Sequence, residues 1–175
     1  MDKKTRAKLA AAAADGDTSA FAKLYEQVYR QLYYYALSNL QSPDDAADAV
    51  QDAALQAFAG IASLREPSAF DSWIFRILMN IVKQKQKNYA ITREHSLDAD
   101  PSAVIGGSPF GRVEMLSALN ELSPEERQCL TLYGAAGYNS KEIAELTGMK
   151  ASTVRSHISR GREKLRKALK QGKGR

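Results

Sequence analysis

Along the first half of the chain, Phe21, Leu24, Val28, Leu32, Tyr35, Ala36 and Leu40 recur at steps of three and four. That spacing predicts a helix from about Ser19 to Leu40, its apolar stripe widened by Tyr25, Tyr29, Tyr33 and Tyr34. Ser42-Pro43-Asp44-Asp45 then reads as a helix start, with Ser as N-cap, Pro at the first helical position and acids favourably placed against the helix dipole. The second helix is expected to run to about Ile61, with Ala46, Ala47, Val50, Ala54, Ala57, Phe58 and Ile61 facing inward. A break at Leu64-Arg65-Glu66-Pro67-Ser68 precedes a third helix, on which Phe70, Trp73, Ile74, Ile77, Leu78, Ile81 and Val82 keep the helical period.

Beyond Asn88 the periodicity fades into a polar stretch holding Pro101, Gly106, Gly107, Pro109 and Gly111. A structureless run of about 20 residues is unusual inside one compact domain, so this one predicts an interdomain linker. Val113, Leu116, Leu119 and Leu122 mark a short helix after it. Ser123-Pro124-Glu125-Glu126 is a capping box that opens a helix expected to bury Cys129, Leu130 and Tyr133 and to stop at Gly134, with Gly137 in the turn. Asn139-Ser140-Lys141-Glu142 opens another helix, Thr147-Gly148-Met149 breaks it, and a last one runs from about Ser152 to Ala168. The expected fold is all-α: two small helical domains, 1–88 and 112–175, joined by a flexible linker over 89–111.

Composition agrees, because Ala, Leu, Lys, Glu and Gln are abundant while the 175 residues hold only 5 Pro and 11 Gly. The single cysteine, Cys129, excludes an internal disulfide, and with only His95 and His157 beside it no Cys/His metal cluster is expected. No cofactor is expected either. The N-terminal MDKKTRAKLAAAAADGD is too short and weakly apolar for a signal peptide, and nothing approaches the roughly 20 apolar residues of a membrane span. A cytoplasmic protein without membrane insertion follows as the expectation.

Charge changes the picture more than composition does. The net charge is a mild +5, yet from Lys150 onward Arg155, Arg160, Arg162, Lys164, Arg166, Lys167, Lys170, Lys173 and Arg175 face one acid, Glu163. Such a basic end suits a polyanion, although a solvated helix face is the plainer alternative.

The segment from Glu142 to Ile158 decides between them. Ala144 is small where two helices cross, Gly148 permits the turn, and Ile143, Met149, Val154 and Ile158 can seat the second helix on the first. That is a helix-turn-helix, whose second helix enters the major groove by its N-terminal half. Ser152, Thr153, Arg155, Ser156 and their neighbour Ser159 are then candidates for bases and phosphates, Arg155 for a bidentate guanine contact. Arg160, Arg162, Lys164 and Arg166 are placed for backbone phosphates. His157 lacks an accompanying acid or nucleophile, and Gly106 to Gly111 lacks the Lys-Ser/Thr pair and preceding strand of a phosphate loop, so no enzyme is expected.

Two segments carry a resemblance that covers nearly the whole chain. Phe21 through Asp44-Asp45-Ala46-Ala47-Asp48-Ala49-Val50-Gln51-Asp52 to Phe70-Asp71-Ser72-Trp73-Ile74-Phe75-Arg76-Ile77-Leu78-Met79-Asn80 resembles domain two of the extracytoplasmic-function group of sigma-70 family sigma factors. Ala118-Leu119-Asn120-Glu121-Leu122-Ser123-Pro124-Glu125 through Thr153-Val154-Arg155-Ser156 to Leu165 resembles the family's domain four.

The resemblance implies a factor that binds core RNA polymerase and directs it to promoter DNA. It implies that Asp45, Asp48, Gln51 and Asp52 bind the polymerase's coiled coil; from the residues alone these are a solvated acidic helix start. It implies that Arg65 to Ser68, Trp73, Arg76 and Asn80, with Lys83 toward phosphates, open and read the minus-10 element by capturing a flipped base. Trp73 fits the core stripe equally well, which leaves Asn80 the better contact candidate. It implies that Arg155, Ser156 and Arg160 read the minus-35 element, that Asp98 and Asp100 pass near the RNA path, and that an anti-sigma factor is a partner.

The chain departs from the family at His157 and Ser159, where a basic and a large side chain are common, and in its Tyr-rich first and Ala-rich second helix. A polymerase-independent helix-turn-helix regulator is the competing expectation, and a sigma-like protein that sequesters a regulator is a third.

Overall fold

The computed structural model describes residues 1–95 and 110–172. Helices α1 (Lys3–Ala14), α2 (Thr18–Leu40), α3 (Pro43–Gly60) and α4 (Phe70–His95) form the first unit, with two 3-10 turns, Ile61–Ser63 and Pro67–Ala69, between α3 and α4. Helices α5 (Phe110–Asn120), α6 (Pro124–Gly134), α7 (Ser140–Thr147) and α8 (Ala151–Gly172) form the second. The all-helical, two-unit architecture expected from the sequence is the one observed among the described residues.

Caps explain most boundaries. The Asp17 carboxylate accepts Ala20 N at 3.0 Å to open α2, and the Ser42 hydroxyl accepts Asp45 N at 3.2 Å to open α3 behind Pro43. In the first unit α2, α3 and α4 pack on one another around Leu24, Val28, Leu32, Val50, Phe70, Ile74, Phe75 and Leu78, all fully buried. Each such side chain contributes about 1.5–3 kcal/mol through removal from water.

Four differences from the sequence reading have physical causes. Residues 3–14 form α1, for which no apolar stripe gives a signal: among its described side chains only Ala10 and Ala13 are buried. On α3 the inward residues are Ala46, Ala49, Val50, Ala53 and Ala57, whereas the expected Ala47 and Phe58 point outward. Alanine is nearly neutral in hydropathy, so an alanine-rich helix does not declare its face. Helix α4 continues to His95 and α5 begins at Phe110, so both helices enter the expected 89–111 linker from its ends. Tyr133 is exposed, because the helical turn that buries Cys129, Leu130 and Leu132 leaves it on the outer side of α6. Asp98, Asp100 and the part of the Gly106–Gly111 segment up to Pro109 lie outside the described residues.

The units touch. Helix α2 packs on α6, where Gln128 Nε2 donates to the Tyr35 hydroxyl at 3.3 Å; burial pushes the Tyr35 phenol up to about 12. Helix α4 meets α7, and the Phe75 and Tyr138 rings cross edge-to-face with centroids 5.3 Å apart.

Candidate nucleic-acid interface

The helix-turn-helix is built from local signals. Asn139 Oδ1 accepts Lys141 N and Glu142 N at 2.9 and 3.1 Å, while Glu142 Oε2 accepts Asn139 N at 2.8 Å, a complete capping box at the start of α7. Gly148 ends the helix at φ 75°, a left-handed conformation that a β-carbon would strain, and its N donates to Ala144 O at 2.9 Å. Ile143, Leu146, Val154 and Ile158 are buried between α7 and α8. Seating α8 on Val154 and Ile158 turns Ser152, Thr153, Arg155, Ser156, Ser159 and Arg160 to the outside, where all are exposed.

The outer face has an ordered chemistry. The Ser156 hydroxyl donates to Ser152 O at 3.1 Å, which leaves its oxygen lone pairs facing outward. Arg155 lines an open groove of about 540 Å³ with Tyr133, Ser140, Ser159, Arg162 and Arg166. The Arg162 guanidinium lies over the Tyr133 ring, 4.6 Å from its centroid, so an aromatic plane orients one cation of this groove. Sequence reasoning missed Tyr133 and Ser140; only the fold brings the ends of α6 and α7 beside α8.

Arg160 and Lys164 sit on the opposite flank and are tied to the domain. Lys164 Nζ donates to Glu126 Oε2 at 2.8 Å, and Arg160 Nε lies 3.6 Å from Glu126 Oε1. Arg160 Nη2 is also 3.2 Å from His157 Nδ1. Burial alone would raise the Glu126 carboxyl, but the Lys164 and Ser123 hydrogen bonds and the charges of Lys164 and Arg160 outweigh it and hold it below the usual range. The cysteine of α6 is a core thiol: Cys129 is fully buried, and desolvation pushes it up to about 11.

On α4, Trp73, Arg76, Asn80 and Lys83 share one helical stripe; the last three are exposed. Trp73 is half-buried, tilted against Phe70 and laid alongside Gly60 at the end of α3, so it belongs to both the core and the surface. Arg76 Nη2 donates to Glu145 O on α7 at 3.3 Å, which brings this stripe against the helix-turn-helix. In the loop before α4, Arg65 and Ser68 are exposed, and the Ser68 hydroxyl donates to Glu66 Oε1 at 2.8 Å.

On α3, Asp48, Gln51 and Asp52 form an exposed row that continues into Leu55, 62% exposed, and Phe58, 49% exposed. Asp45 is not in that row. It is half-buried against α4, where the Tyr89 hydroxyl, with Ser42 and the charge of Lys85, holds its carboxyl below the usual range. Residues 43–60 carry no Lys or Arg, so the charge on the outer face of α3 is entirely acidic. Among the described residues no Cys, His, Asp or Glu cluster could hold a metal, and no helix is long and apolar enough to cross a membrane.

One unit presents a capped helix-turn-helix with a basic outer helix, the architecture of a DNA-binding protein, and the other an exposed acidic helix face. Residues 24–89 match sigma-70 region 2, and residues 112–165 match sigma-70 region 4. The chain is 30% identical over 167 residues to the ECF RNA polymerase sigma factor SigM of Mycobacterium tuberculosis, covering 95% of this chain and 85% of that one. The sigma factor RpoE of Bartonella quintana, solved with the anti-sigma factor NepR, superposes with a TM-score of 0.76 at 28% identity, over 86% of this chain and 96% of that one. CnrH, solved with the cytosolic domain of CnrY, superposes with a TM-score of 0.74 at 27% identity, over 95% and 98%. The chain belongs to the extracytoplasmic-function group of RNA polymerase sigma factors of the sigma-70 family. This membership disfavours the competing expectation of a polymerase-independent regulator.

Proposed function

We propose that residues 1–88 act as the domain that binds core RNA polymerase and opens the minus-10 element, that 89–111 connect, and that 112–175 read the minus-35 element. Asp48, Gln51 and Asp52 form the exposed acidic row that meets the polymerase, with Asp45 bracing it against α4. Ser152, Thr153, Arg155 and Ser156 enter the major groove, and Arg160 reaches its rim from the flank where Glu126 holds it. Arg65, Ser68, Trp73, Arg76, Asn80 and Lys83 lie on the loop and stripe that take the melted strand. The observation that carries this reading is the exposed Arg155, set among hydroxyls on the solvent side of α8 while Val154 and Ile158 are buried.

Arg76 reaches DNA only when its bond to Glu145 O opens, so promoter engagement separates α4 from α7. The role is non-enzymatic and cytoplasmic, and the polymerase supplies the chemistry. The relatives RpoE and CnrH were solved with NepR and the cytosolic domain of CnrY, and we propose that an anti-sigma chain likewise binds this protein. Run-off transcription with core polymerase on genomic fragments tests the reading. Transcripts that require the wild-type chain and are weakened in Arg155→Ala and Asn80→Ala support it; DNA binding as a dimer with no polymerase association overturns it.

A further inference from the structure

Helix α1 lies across both 3-10 turns that join α3 to α4 and also packs on α2. The second turn carries Ser68 and the link between the turns carries Arg65, and the side-chain hydrogen bonds in and beside them are all local: Ser63 Oγ to Gly60 O, Ser68 to Glu66, and Ser72 Oγ to Ala69 O, each spanning two or three residues. Bonds of that reach shape the loop but cannot fix where it sits relative to the helices. An external brace is needed, and α1 is the element in position.

What holds α1 there is not a large apolar surface. Its residues against the core are Leu9, Ala10, Ala12, Ala13 and Ala14, of which four are alanines with little area to bury. The specific tie is an ion pair from Arg6 Nη1 to Asp71 Oδ2, reaching from α1 to the first turn of α4, immediately after the loop. Both side chains are less than a third exposed, and Arg6 Nε and Asp71 Oδ1 are buried without other partners among the described residues. Neither of these two atoms has another hydrogen-bond partner, so removing one side chain leaves the other without its ion-pair partner in a partly desolvated position. Burial already raises the Asp71 carboxyl in spite of the opposing charge of Arg6.

We infer that Arg6, acting through Asp71, is a positioning residue for minus-10 recognition: it clamps α1 over the Ile61–Ala69 loop and fixes the loop's Arg65 and Ser68 for the melted strand. The inference rests on the reading of that loop as a minus-10 contact. Arg6 itself touches no DNA. Its loss broadens base preference at minus-10 and leaves minus-35 preference, set by α8, as it was.

The test uses the full chain with core polymerase on a promoter from the run-off experiment, randomised separately over its minus-10 and minus-35 segments, with transcripts sequenced. Arg6→Ala and Asp71→Asn are expected to flatten minus-10 preference by about fivefold, the ordinary worth of a partly buried ion pair, with minus-35 preference and core binding retained. The exchange Arg6→Asp with Asp71→Arg is expected to restore most of the preference. Because it removes neither charge, it also carries the test if the single variants fold poorly. An unchanged minus-10 profile in Arg6→Ala, while Arg65→Ala alters it, overturns the clamp and keeps the loop reading. Unchanged profiles in both Arg65→Ala and Ser68→Ala overturn the loop reading and the clamp with it. A charge exchange that folds and binds core but restores nothing also overturns the clamp.

Discussion

Lys164 Nζ donates to Glu126 Oε2 at 2.8 Å, joining the middle of α8 to the first turn of α6 across 38 residues of sequence. The same carboxylate accepts Ser123 N at 3.1 Å, so one buried side chain closes a helix cap and anchors the helix that carries the candidate base contacts. Glu126→Gln keeps the shape and the cap while deleting the charge. It is expected to lower stability at neutral pH by about 1 kcal/mol, discounted because Lys164 and Arg160 are largely solvated. The folded carboxyl lies below its unfolded value, so its contribution is present above the unfolded value and is lost as pH falls through the folded one. Urea titrations at several pH values check this: the gap between wild type and variant closes in acid, below the ordinary Glu range.

Phe75 and Tyr138, with Tyr35 and Gln128, hold the two units together. An edge-to-face pair contributes about 0.5–1.5 kcal/mol beyond area burial, so Tyr138→Ala combined with Gln128→Ala is expected to shift the free protein toward separated units. Small-angle scattering should show a larger radius of gyration, and amide exchange in α7 should quicken. An unchanged radius would mean that other contacts hold the closed form.

Arg155 and Arg162 line one groove but differ in surroundings, since Arg162 is stacked on Tyr133 while Arg155 projects among serines. Arg155→Ala is expected to cost about 1–3 kcal/mol on the preferred minus-35 sequence and to relax choice at one position. Arg162→Ala is expected to weaken all sequences alike and to reduce the salt slope by about 1. Competition binding with holoenzyme at several salt concentrations separates the two outcomes.

Cys129 is fully buried beside Met149, with Sγ 3.9 Å from its Sδ, and its thiol is pushed up to about 11. At pH 8 the native protein is expected to resist iodoacetamide, because thiolate is scarce and access is blocked. Mass spectrometry after brief exposure checks this; full labelling should appear only once denaturant unfolds the second unit.

The helix-turn-helix was legible because its signals are local: Asn139 and Glu142 cap α7, Gly148 supplies the left-handed turn, and Val154 with Ile158 names the inner face. The rotation of α3 was not, since Ala47 and Ala49 offer equal hydropathy to opposite faces and only the packing against α2 and α4 chooses between them. Helix α1 hid for the same reason. The bond from Arg76 to Glu145 O spans 69 residues and ends on a main-chain carbonyl, which no side-chain pattern encodes. Asp45, grouped with Asp48 and Asp52 by the family resemblance, is drawn to Tyr89 by a helix it meets only in the folded chain.

The seam that α3 presents to its neighbours includes Ala46, Ala49, Ala53 and Ala57, each with no exposed surface. Alanine has no rotamers to freeze, so closing this seam costs almost no side-chain entropy, and it brings the helix axes near one another. The arrangement has one direction of failure. Every coded side chain except glycine is larger than a methyl group, so nearly any change at these four positions pushes α3 outward as a rod, carrying Asp48, Gln51 and Asp52 with it. A substitution hidden in the interior would thus be felt first as a displaced surface, by whatever docks against the acids, before it registered as a loss of fold.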